Sequence, residues 1–469
     1  MRNSSVSRAR PAPPSSPASH PFFSTRTSQP CSPTQPPPPS QALDSLLKGT
    51  LATVSHFAAQ PTNLEAHPSI IVTFERFSTG NVLPDQKQGK SPEQLKTPQS
   101  SPFHSTAASN SLPPNISQDQ FEGVCFPTTP AVAINLLGKY LTNHEVSEVL
   151  SHKTVYYLGV KANKIKGDLS QPNYGYDDER SDYRIVPFDH LDYRYEVIDV
   201  IGKGAFGKVI HCFDHKESTH VAIKIIRNAR RFHKQAQVEL QVLRLLLERN
   251  IPFVVRLLDS FKFRNHECMS FELLDISLYD YLKINRFRGF PLLWVRAVTQ
   301  QLVSVLHELK ANGVIHCDVK PENMLFLDER RGSVKLIDFG SACVEQERMY
   351  SYIQSRFYRA PEVILGIRYS FPIDMWSLGC VLAELYTGRP LFPGENETDQ
   401  LLWIISALGE PPDSLLAHSS KRSVFYSPDS TLKIVPDSHG TRRKPASTSL
   451  SKLIPSSDGP MMDFISRML

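Results

Sequence analysis

Three glycines between two strand-like runs restrict the possible folds of this chain more than any other feature. Gly202, Gly204 and Gly207 follow the pattern GxGxxGxV, which ends at Val209. Glycines at this spacing let backbone N–H groups approach a phosphate group closely. A dinucleotide-binding domain would place a helix directly after the glycines, whereas residues 207–213 have the alternating pattern of a second strand. The sequence therefore predicts a phosphate-binding hairpin and excludes a Rossmann fold.

The order of strand and helix patterns predicts two lobes. Three strand patterns and one helical pattern cover residues 195–201, 207–213, 221–226 and 235–247. Two further strand patterns follow, and the sequence reads as helical from residue 278 onward. A β-rich lobe followed by an α-rich lobe belongs to the α+β class.

The bulk composition excludes several functional classes. The chain has 469 residues, too many for one ordinary domain, and its hydrophobic fraction of 40% is normal for a globular core. A net charge of +5 gives no reason to expect nucleic-acid binding, and no apolar run approaches the ~18 residues of a membrane span. The seven scattered cysteines include no CxxC pair. Neither a disulfide framework nor a zinc module is expected, and a cytoplasmic or nuclear location is predicted.

Residues 1–120 are predicted to be a disordered, proline-rich and serine-rich tail. They contain 19 of the 37 prolines, and such a segment cannot bury enough apolar surface to fold. Polyproline stretches within it would dock SH3-type or WW-type domains, or the tail has no fixed partner. The absence of acidic residues before Asp44 is typical of an organelle transit peptide. Prolines at positions 11, 13, 14 and 17 oppose the helix that such a peptide needs, so disorder is preferred.

Residues 121–194 are predicted to form a small folded accessory region. A helix start at residues 129–130 has proline at the first helical position. Thr142 and Glu145 have the spacing of a capping box and predict a second short helix. A strand-like run at residues 154–158 and an acidic, tyrosine-rich stretch follow.

The strand after the glycines carries a lysine in a recognisable setting. Val221-Ala222-Ile223-Lys224 is the pattern that places a lysine under the α- and β-phosphates of a nucleotide. Glu239, in the following helix, is the expected ion-pair partner of Lys224. Either residue alone is more often a solvated surface charge, so the motifs further along the chain decide the interpretation.

A second group of motifs predicts phosphoryl transfer. Residues 316–323 follow the pattern HxDxKxxN. Asp318 would accept the proton of an incoming hydroxyl group, Lys320 would neutralise charge on the transferring group, and Asn323 would bind a magnesium ion. Asp338, in Asp-Phe-Gly, would bind the magnesium that bridges the phosphates.

These motifs, in this order along the chain, resemble those of eukaryotic protein kinases. The last two are Ala360-Pro361-Glu362, which closes an activation segment, and the start of an anchoring helix at Asp374. The resemblance implies a bilobal kinase domain over residues 195–469, with ATP and Mg²⁺ as cofactors. It also implies a nucleotide site formed by the glycine-rich loop, the lysine strand and a hinge with Phe271 as gatekeeper: Ile201, Gly202, Gly204, Ala205, Phe206, Gly207, Val209, Ala222, Lys224, Phe271, Glu272, Leu273 and Leu274.

Within the kinases, the chain resembles the dual-specificity tyrosine-phosphorylation-regulated kinases (the DYRK family), in the group that also holds the cyclin-dependent and MAP kinases. Residues 350–359, YSYIQSRFYR, look like that family's activation loop, and residues 177–196 resemble its acidic homology box. Residues 126–158 are similar to the accessory region of the class II branch. The resemblance implies Ser/Thr phosphorylation of other proteins near Arg and Pro. It also implies tyrosine phosphorylation mainly of the chain itself, on Tyr352, assisted by the accessory region.

The activation loop has its own candidate phosphate ligands. Cys317 stands where most protein kinases have an arginine that holds the phosphorylated loop. Arg356 and Arg359 are therefore expected to bind a phosphate on Tyr352. Ordinary aromatic packing is the alternative for Tyr352 and for Tyr350.

Two residues of the catalytic loop bear on substrate choice. Lys320, two residues after the expected base, is typical of loops that phosphorylate Ser and Thr. Glu322 is either a contact for a basic residue N-terminal to the target or a solvated loop acid.

The C-terminal part leaves two hypotheses open. The chain ends in what looks like the helix after the insert of this kinase group, residues 411–457. We therefore expect a truncated C-lobe in which Glu362 lacks its usual arginine partner. An active dual-specificity kinase is the first hypothesis, and an inactive truncated scaffold is the alternative; intact Lys224 and Asp318 favour the enzyme. Residues 442–444, Arg-Arg-Lys, are a nuclear signal or a solvated loop.

Overall fold

The computed structural model describes residues 123–328, 332–345, 352–456 and 458–469. The chain divides into a unit of residues 1–46, which lies outside this description, and a unit of residues 47–469 that contains every described residue. The tail predicted over residues 1–120 and Tyr350 lie outside the described residues.

The accessory region begins with the two short helices that the sequence predicts. Helix α1 (Pro130–Leu137) starts after Thr129, whose hydroxyl oxygen accepts a hydrogen bond from the N–H of Val132. Helix α2 (Asn143–Glu148) has a complete capping box. The Glu145 N–H donates to the Thr142 hydroxyl at 3.2 Å, and the Thr142 N–H donates to the Glu145 carboxylate at 2.8 Å.

The predicted strand over residues 154–158 is wrong. Only Val155 pairs like a strand residue, in an isolated bridge to Thr128. The N–H groups of Tyr156 and Tyr157 both donate to the carbonyl of Tyr193, at 2.9 and 3.0 Å. Because one carbonyl takes both donors, no neighbouring strand can form a ladder with this segment.

A six-stranded antiparallel sheet forms the N-lobe. Its strands lie in the order β1-β2-β3-β4-β6-β5, and the three predicted strands after residue 195 are confirmed. The strands are β1 (His190–Leu191), β2 (Tyr195–Lys203), β3 (Gly207–Asp214), β4 (Thr219–Ile226), β5 (Leu257–Phe263) and β6 (His266–Glu272).

Helix α3 (Arg230–Glu248) connects β4 to β5 and is longer than predicted. Its buried residues recur at helical spacing, among them Gln235, Glu239 and Leu243. This spacing turns one face of the helix towards the sheet. Gln235 and Glu239 are the polar members of that face, and both take part in the site described below.

The accessory region and the N-lobe share one hydrophobic core. Buried Ala133 and Leu137 of α1 belong to the same cluster as Val197, Ile210 and Val221 of the sheet. The accessory region is therefore a packed part of the N-lobe rather than a separate domain.

Buried charges join the accessory region to the β5–β6 turn. The Arg264 guanidinium donates to the carboxylates of Glu145 and Glu148, at 3.3 and 2.9 Å. Glu145, Asp189 and His190 lie close enough together to hold a metal ion, but Lys164 already lies 2.8 Å from Glu145. Burial alone would raise the pKa of Glu145, yet His190 and Lys164 together hold that pKa well below its usual value. We assign no metal to this cluster.

The C-lobe is mainly helical. Its helices are α4 (Leu278–Ile284), α5 (Leu292–Ala311), α6 (Pro361–Ile364), α7 (Pro372–Thr387), α8 (Glu397–Leu408), α9 (Asp413–Leu416), α10 (Arg422–Phe425), α11 (Leu450–Leu453) and α12 (Gly459–Ser466). Nearly every residue of α7 is buried, as expected for a helix that is apolar around most of its circumference. Helix α7 is the central support of the lobe.

The expectation that the chain is helical throughout after residue 278 is wrong. Four short strands carry the functional loops: β7 (Val314–Ile315), β8 (Met324–Asp328), β9 (Ser333–Leu336) and β10 (Cys343–Val344). Strand β7 pairs with β10, and β8 pairs with β9. Runs of two to five residues are too short to show an alternating pattern in the sequence.

The insert contains an ordered arginine. Arg443 pairs with the carboxylates of Asp399 and Asp437, and its guanidinium lies 4.2 Å from the centre of the Trp403 ring. The solvated-loop interpretation of residues 442–444 is therefore wrong for Arg443, which fastens the insert to α8. Within the described part of the chain, no helix is both long and apolar enough to cross a membrane.

Candidate active site

The glycine-rich loop connects β2 and β3 at the edge of a cleft between the lobes. The Gly204 N–H donates to the Gly207 carbonyl at 2.9 Å, which closes the tip of the hairpin. Gly207 has a φ of +150°, and a Cβ added there would lie 2.0 Å from the carbonyl oxygen of Ile225. Only glycine fits at this position, because any side chain would overlap the backbone of β4.

Lys224 links two acidic side chains from different parts of the chain. Its Nζ lies 2.6 Å from Glu239 on α3 and 2.8 Å from Asp338, which follows β9. Burial lowers the pKa of Lys224, but the two carboxylates raise it by more, so the net shift is upward. Lys224 therefore stays charged at neutral pH. Burial also raises the pKa of Asp338, but Lys224 lowers it to about 2, so Asp338 stays ionised.

The Asp-Phe-Gly segment is held against α3. Asp338 adopts the left-handed backbone conformation with φ 60°, and its carboxylate accepts from the Gly340 N–H at 3.3 Å. The Gln235 amide of α3 donates to the Gly340 carbonyl at 2.5 Å. A single helix thus positions both Glu239 and the segment that contains Asp338.

The cleft between the lobes has a volume of about 200 Å³. Most of the predicted nucleotide-site residues line it, from the loop, the lysine strand and the hinge: Ile201, Gly204, Phe206, Gly207, Val209, Ala222, Lys224, Phe271, Glu272, Leu273 and Leu274. Gly202 and Ala205 do not line it. The lining also includes Val255, Leu325 and Ile337, which were not predicted from the sequence because apolar residues outside a motif give no signal beyond core packing. Two of these residues could have been found by their closeness to a motif: Leu325 lies two residues after Asn323, and Ile337 directly precedes Asp338.

The catalytic loop lies between β7 and β8 and brings three predicted residues together. Lys320 Nζ lies 2.5 Å from Asp318 Oδ2. The Asn323 amide nitrogen donates to the backbone oxygen of Asp318 at 2.9 Å and to its Oδ2 at 3.3 Å. Asn323 uses its nitrogen for these bonds, so its amide oxygen is the atom that can face a cation.

Ser355 is a further site residue, for which the sequence indicates no role beyond membership of the activation-loop pattern. Its N–H and its hydroxyl both donate to Asp318 Oδ1, at 3.0 and 2.8 Å. Lys320 Nζ also lies 3.2 Å from the Ser355 oxygen. The activation segment is thereby fixed to the expected base.

Asp374, in the first turn of α7, supports the backbone of the catalytic loop. Its carboxylate accepts hydrogen bonds from the N–H groups of His316 and Cys317, at 2.7 and 2.9 Å. Burial raises the pKa of Asp374. The two bonds hold Cys317 in the left-handed conformation, with φ 64°, which strains a residue other than glycine.

Comparison with known proteins gives the family. Residues 195–468 match the protein kinase domain family. The chain is 43% identical over 399 residues to dual specificity tyrosine-phosphorylation-regulated kinase 3 of Macaca fascicularis, covering 84% of this chain and 69% of that protein. It is 46% identical over 347 residues to kinase 4 of the same series from Homo sapiens, covering 73% of this chain and 66% of that protein. The chain belongs to the DYRK family of protein kinases.

Relatives differ in how much of their length this chain spans. It is 45% identical over 350 residues to dual specificity tyrosine-phosphorylation-regulated kinase 2 of Drosophila melanogaster, covering 73% of this chain but 48% of that protein. The chain thus spans about half to two thirds of the length of these curated relatives. The sequence-based assignments of the DYRK family and of the bilobal kinase fold are confirmed.

In this DYRK-family chain, the expected phosphate ligands of Tyr352 have other partners. Tyr352 is 65% exposed, and its ring centre lies 4.0 Å from the guanidinium of Arg359. Arg359 also donates to the carbonyls of residues 353 and 354 and to the Glu397 carboxylate. Arg356 donates to two carbonyls that precede α8, those of residues 394 and 395. Arg359 therefore lies beside the Tyr352 ring, while Arg356 is held elsewhere. Phosphate binding by these two arginines stays a prediction.

Three acids near the catalytic loop lack described cationic partners in hydrogen-bond contact. Glu384 of α7 is buried and accepts a hydrogen bond from the Tyr358 hydroxyl at 2.6 Å; burial raises the pKa of Glu384 to about 7. Glu322 is exposed, and its pKa is raised by the desolvation of its carboxylate. Burial also raises the pKa of Glu362.

Proposed function

We propose that this chain transfers the γ-phosphate of ATP to Ser and Thr hydroxyls of other proteins and to its own Tyr352. The observation that carries this proposal is the Lys224 bridge to Glu239 and Asp338. In protein kinases, this lysine–glutamate pair and the Asp-Phe-Gly aspartate must be in place together for catalysis. The intact set and the family membership also weigh against the inactive-scaffold alternative.

Asp318 and Lys320 support the chemical step of this proposal. A substrate hydroxyl that approaches Asp318 would transfer its proton to the carboxylate as its oxygen attacks the γ-phosphorus of ATP. The bond between that phosphorus and the β–γ bridging oxygen would break, and ADP would leave. Lys320 Nζ, 2.5 Å from Asp318, would stabilise negative charge on the transferring group. Ser355 would keep the Asp318 carboxylate in one orientation through its two hydrogen bonds.

The donor atoms at the cleft fit Mg²⁺. Asp338 offers a carboxylate and Asn323 an amide oxygen, and both residues line the cleft; these hard oxygen ligands are the ones that Mg²⁺ prefers. When bound, the metal would neutralise charge on the ATP phosphates. Lys224 would hold the α- and β-phosphates, while the apolar side chains of Val209 and Leu325 would enclose the adenine ring.

Substrate preference is a second part of the proposal. Glu384 is a buried carboxylate whose hydrogen-bond partner is a neutral hydroxyl, and the charge of Glu322 raises the pKa of Glu384 further. An arginine side chain bound between the two acids would remove that penalty. We therefore favour the interpretation of Glu322 as a contact for a basic residue N-terminal to the target.

Two further proposals concern the N-terminal tail, which lies outside the described residues, and the location of the chain in the cell. The proline-rich tail would bind SH3-type or WW-type domains, and the chain would act in the cytoplasm, the nucleus or both. Deletion of residues 1–120 should abolish binding of isolated SH3 and WW domains, and retained binding would contradict the first of these proposals.

The catalytic proposal is tested on purified chain with a serine peptide that carries an upstream arginine. Phosphate incorporation should fall at least about 100-fold in both Lys224→Arg and Asp318→Asn. The first variant misplaces the positive charge that holds the phosphates, and the second removes the group that accepts the substrate proton. Equal, low incorporation by wild type and both variants would support the scaffold instead.

A further inference from the structure

The acidic segment, residues 177–182, makes a paired contact with the end of the lysine strand. Arg227 Nε and Nη2 donate to the two carboxylate oxygens of Asp182, at 2.8 and 3.0 Å. Asp182 is only 1% exposed. Such a two-point arginine–carboxylate contact fixes orientation as well as distance.

Arg227 lies where three parts of the nucleotide cleft meet. It follows Lys224 by three residues, and its N–H donates to the carbonyl of Phe206, at the tip of the glycine-rich loop, at 2.8 Å. Its guanidinium lies 5.4 Å from the ring of Phe232, in the first turn of α3. The Phe206 and Phe232 rings pack edge to face, with centres 6.0 Å apart.

The next residue is held by the same acidic segment. The Asn228 N–H donates to the Ser181 carbonyl at 2.8 Å. The Asn228 side-chain amide donates to the carboxylate of Asp177, also at 2.8 Å. Together with the two Arg227 bonds, four hydrogen bonds tie the β4–α3 linker to the acidic segment.

Helix α3 depends on this linker because it lacks a cap of its own. Ala229 is the N-cap residue and offers no side-chain acceptor, although a capping Ser, Thr, Asp or Asn typically adds about 1 kcal/mol. The start of α3 is therefore set by what holds residues 227 and 228. Glu239 lies on the same helix, so its distance from Lys224 depends on where α3 begins.

We propose that Asp182 is a positioning residue for nucleotide binding, which acts through Arg227 and the β4–α3 linker. Asp182 fixes the position of α3 along its axis, so that Glu239 reaches Lys224. It also keeps the tip of the glycine-rich loop next to Arg227. The inference rests on the proposed ATP site. It goes beyond that proposal by assigning part of nucleotide affinity to a residue outside the kinase domain.

A matched control distinguishes positioning from stability. Arg194 makes a similar two-point contact with Asp214, at 2.8 and 2.6 Å, at the other end of strand β3. Asp182→Asn and Asp214→Asn remove the same charge from a similar pair in the same lobe. Both should lower the melting temperature, but only the Asp182 variant should weaken nucleotide binding.

The experiment compares KM for ATP, kcat and melting temperature in the wild-type chain of 469 residues and in four variants of it: Asp182→Asn, Asp182→Glu, Asn228→Ala and Asp214→Asn. Asp182→Asn should raise KM for ATP roughly five- to twentyfold, Asn228→Ala should raise it less, and Asp182→Glu should restore most of the affinity. Asp214→Asn should leave KM for ATP within about twofold of wild type. An unchanged KM in both Asp182→Asn and Asn228→Ala, or an equal rise in Asp214→Asn, would overturn the inference.

ADP affinity, measured by calorimetry on the same five proteins, separates this inference from the proposed activity. Wild type that binds ADP but transfers no phosphate would contradict the proposed function, while the order of ADP affinities would still test the role of Asp182. Wild type that fails to bind ADP would contradict both.

Discussion

Replacing Asp374 with asparagine should lower the free energy of unfolding by removing support from the catalytic loop. The carboxylate is buried and accepts two backbone N–H groups, those of His316 and Cys317. In Asp374→Asn, one oxygen becomes an NH₂ group that faces a donor. One N–H is then left unsatisfied, which costs about 1–3 kcal/mol, and the remaining bond loses its charge. The raised pKa of Asp374 means that burying the charge already carries a penalty, which the substitution removes, so we expect a net loss of about 2 kcal/mol.

Thermal unfolding and steady-state kinetics measure this effect. A loss of about 2 kcal/mol should lower the melting temperature by about 3 °C in a folded unit of this size. Because the loop also carries Asp318, kcat should fall at least about tenfold. Asp413→Asn, at an exposed position in the first turn of α9, is the matched control and should change neither quantity. If Asp374→Asn behaves like this control, the two hydrogen bonds do not support the loop and the reasoning fails.

Three further perturbations have defined outcomes. Gly207→Ala should reduce ATP affinity at least about tenfold in a binding titration, because its Cβ would lie 2.0 Å from the Ile225 carbonyl oxygen; wild-type affinity would contradict the assigned close approach. Burial raises the folded-state pKa of Glu384 to about 7, above its unfolded value, so the ionised form that binds arginine grows as pH rises through 7. The kcat/KM ratio for an arginine-containing peptide over its alanine counterpart should therefore increase between pH 6 and 8, and Glu384→Gln should flatten that increase; a pH-independent ratio in wild type would count against the substrate proposal. Glu145→Gln should destabilise the accessory region by about 3–5 kcal/mol, since Arg264 and Lys164 would lose a buried carboxylate; denaturant unfolding with an unchanged midpoint would rule this out.

Sequence motifs predicted the parts of the site that have fixed chemistry. Lys224, Asp318 and Asp338 each stand in a short pattern whose spacing reflects one geometric requirement, and the structure brings Lys224 and Asp338 within 2.8 Å. The capping box of α2 was predicted for the same reason, because both of its hydrogen bonds join residues three positions apart. Local rules give local structure reliably when donor and acceptor are close in the chain.

Long-range pairings could not be predicted in this way. The acidic segment contains several carboxylates, and nothing in the sequence says that Asp182 meets Arg227, 45 residues later. Ser355 lies 37 residues after Asp318 and looks like an ordinary loop serine. The strand predicted at residues 154–158 does not form because the N–H groups of Tyr156 and Tyr157 donate to the carbonyl of Tyr193, more than 35 residues further along the chain. In each case the hydrogen-bond partner is determined by the tertiary fold, because several residues of the same type are equally good candidates in the sequence.

The most direct test of the central claim is mass spectrometry of Tyr352 on the chain expressed in bacteria, where no eukaryotic tyrosine kinase can act on it. If Asp318 and Lys224 carry out phosphoryl transfer as proposed, Tyr352 should carry phosphate in the wild-type chain and none in Asp318→Asn. Soluble, folded wild type with unmodified Tyr352, or equal modification of the Asp318→Asn variant, would contradict the account.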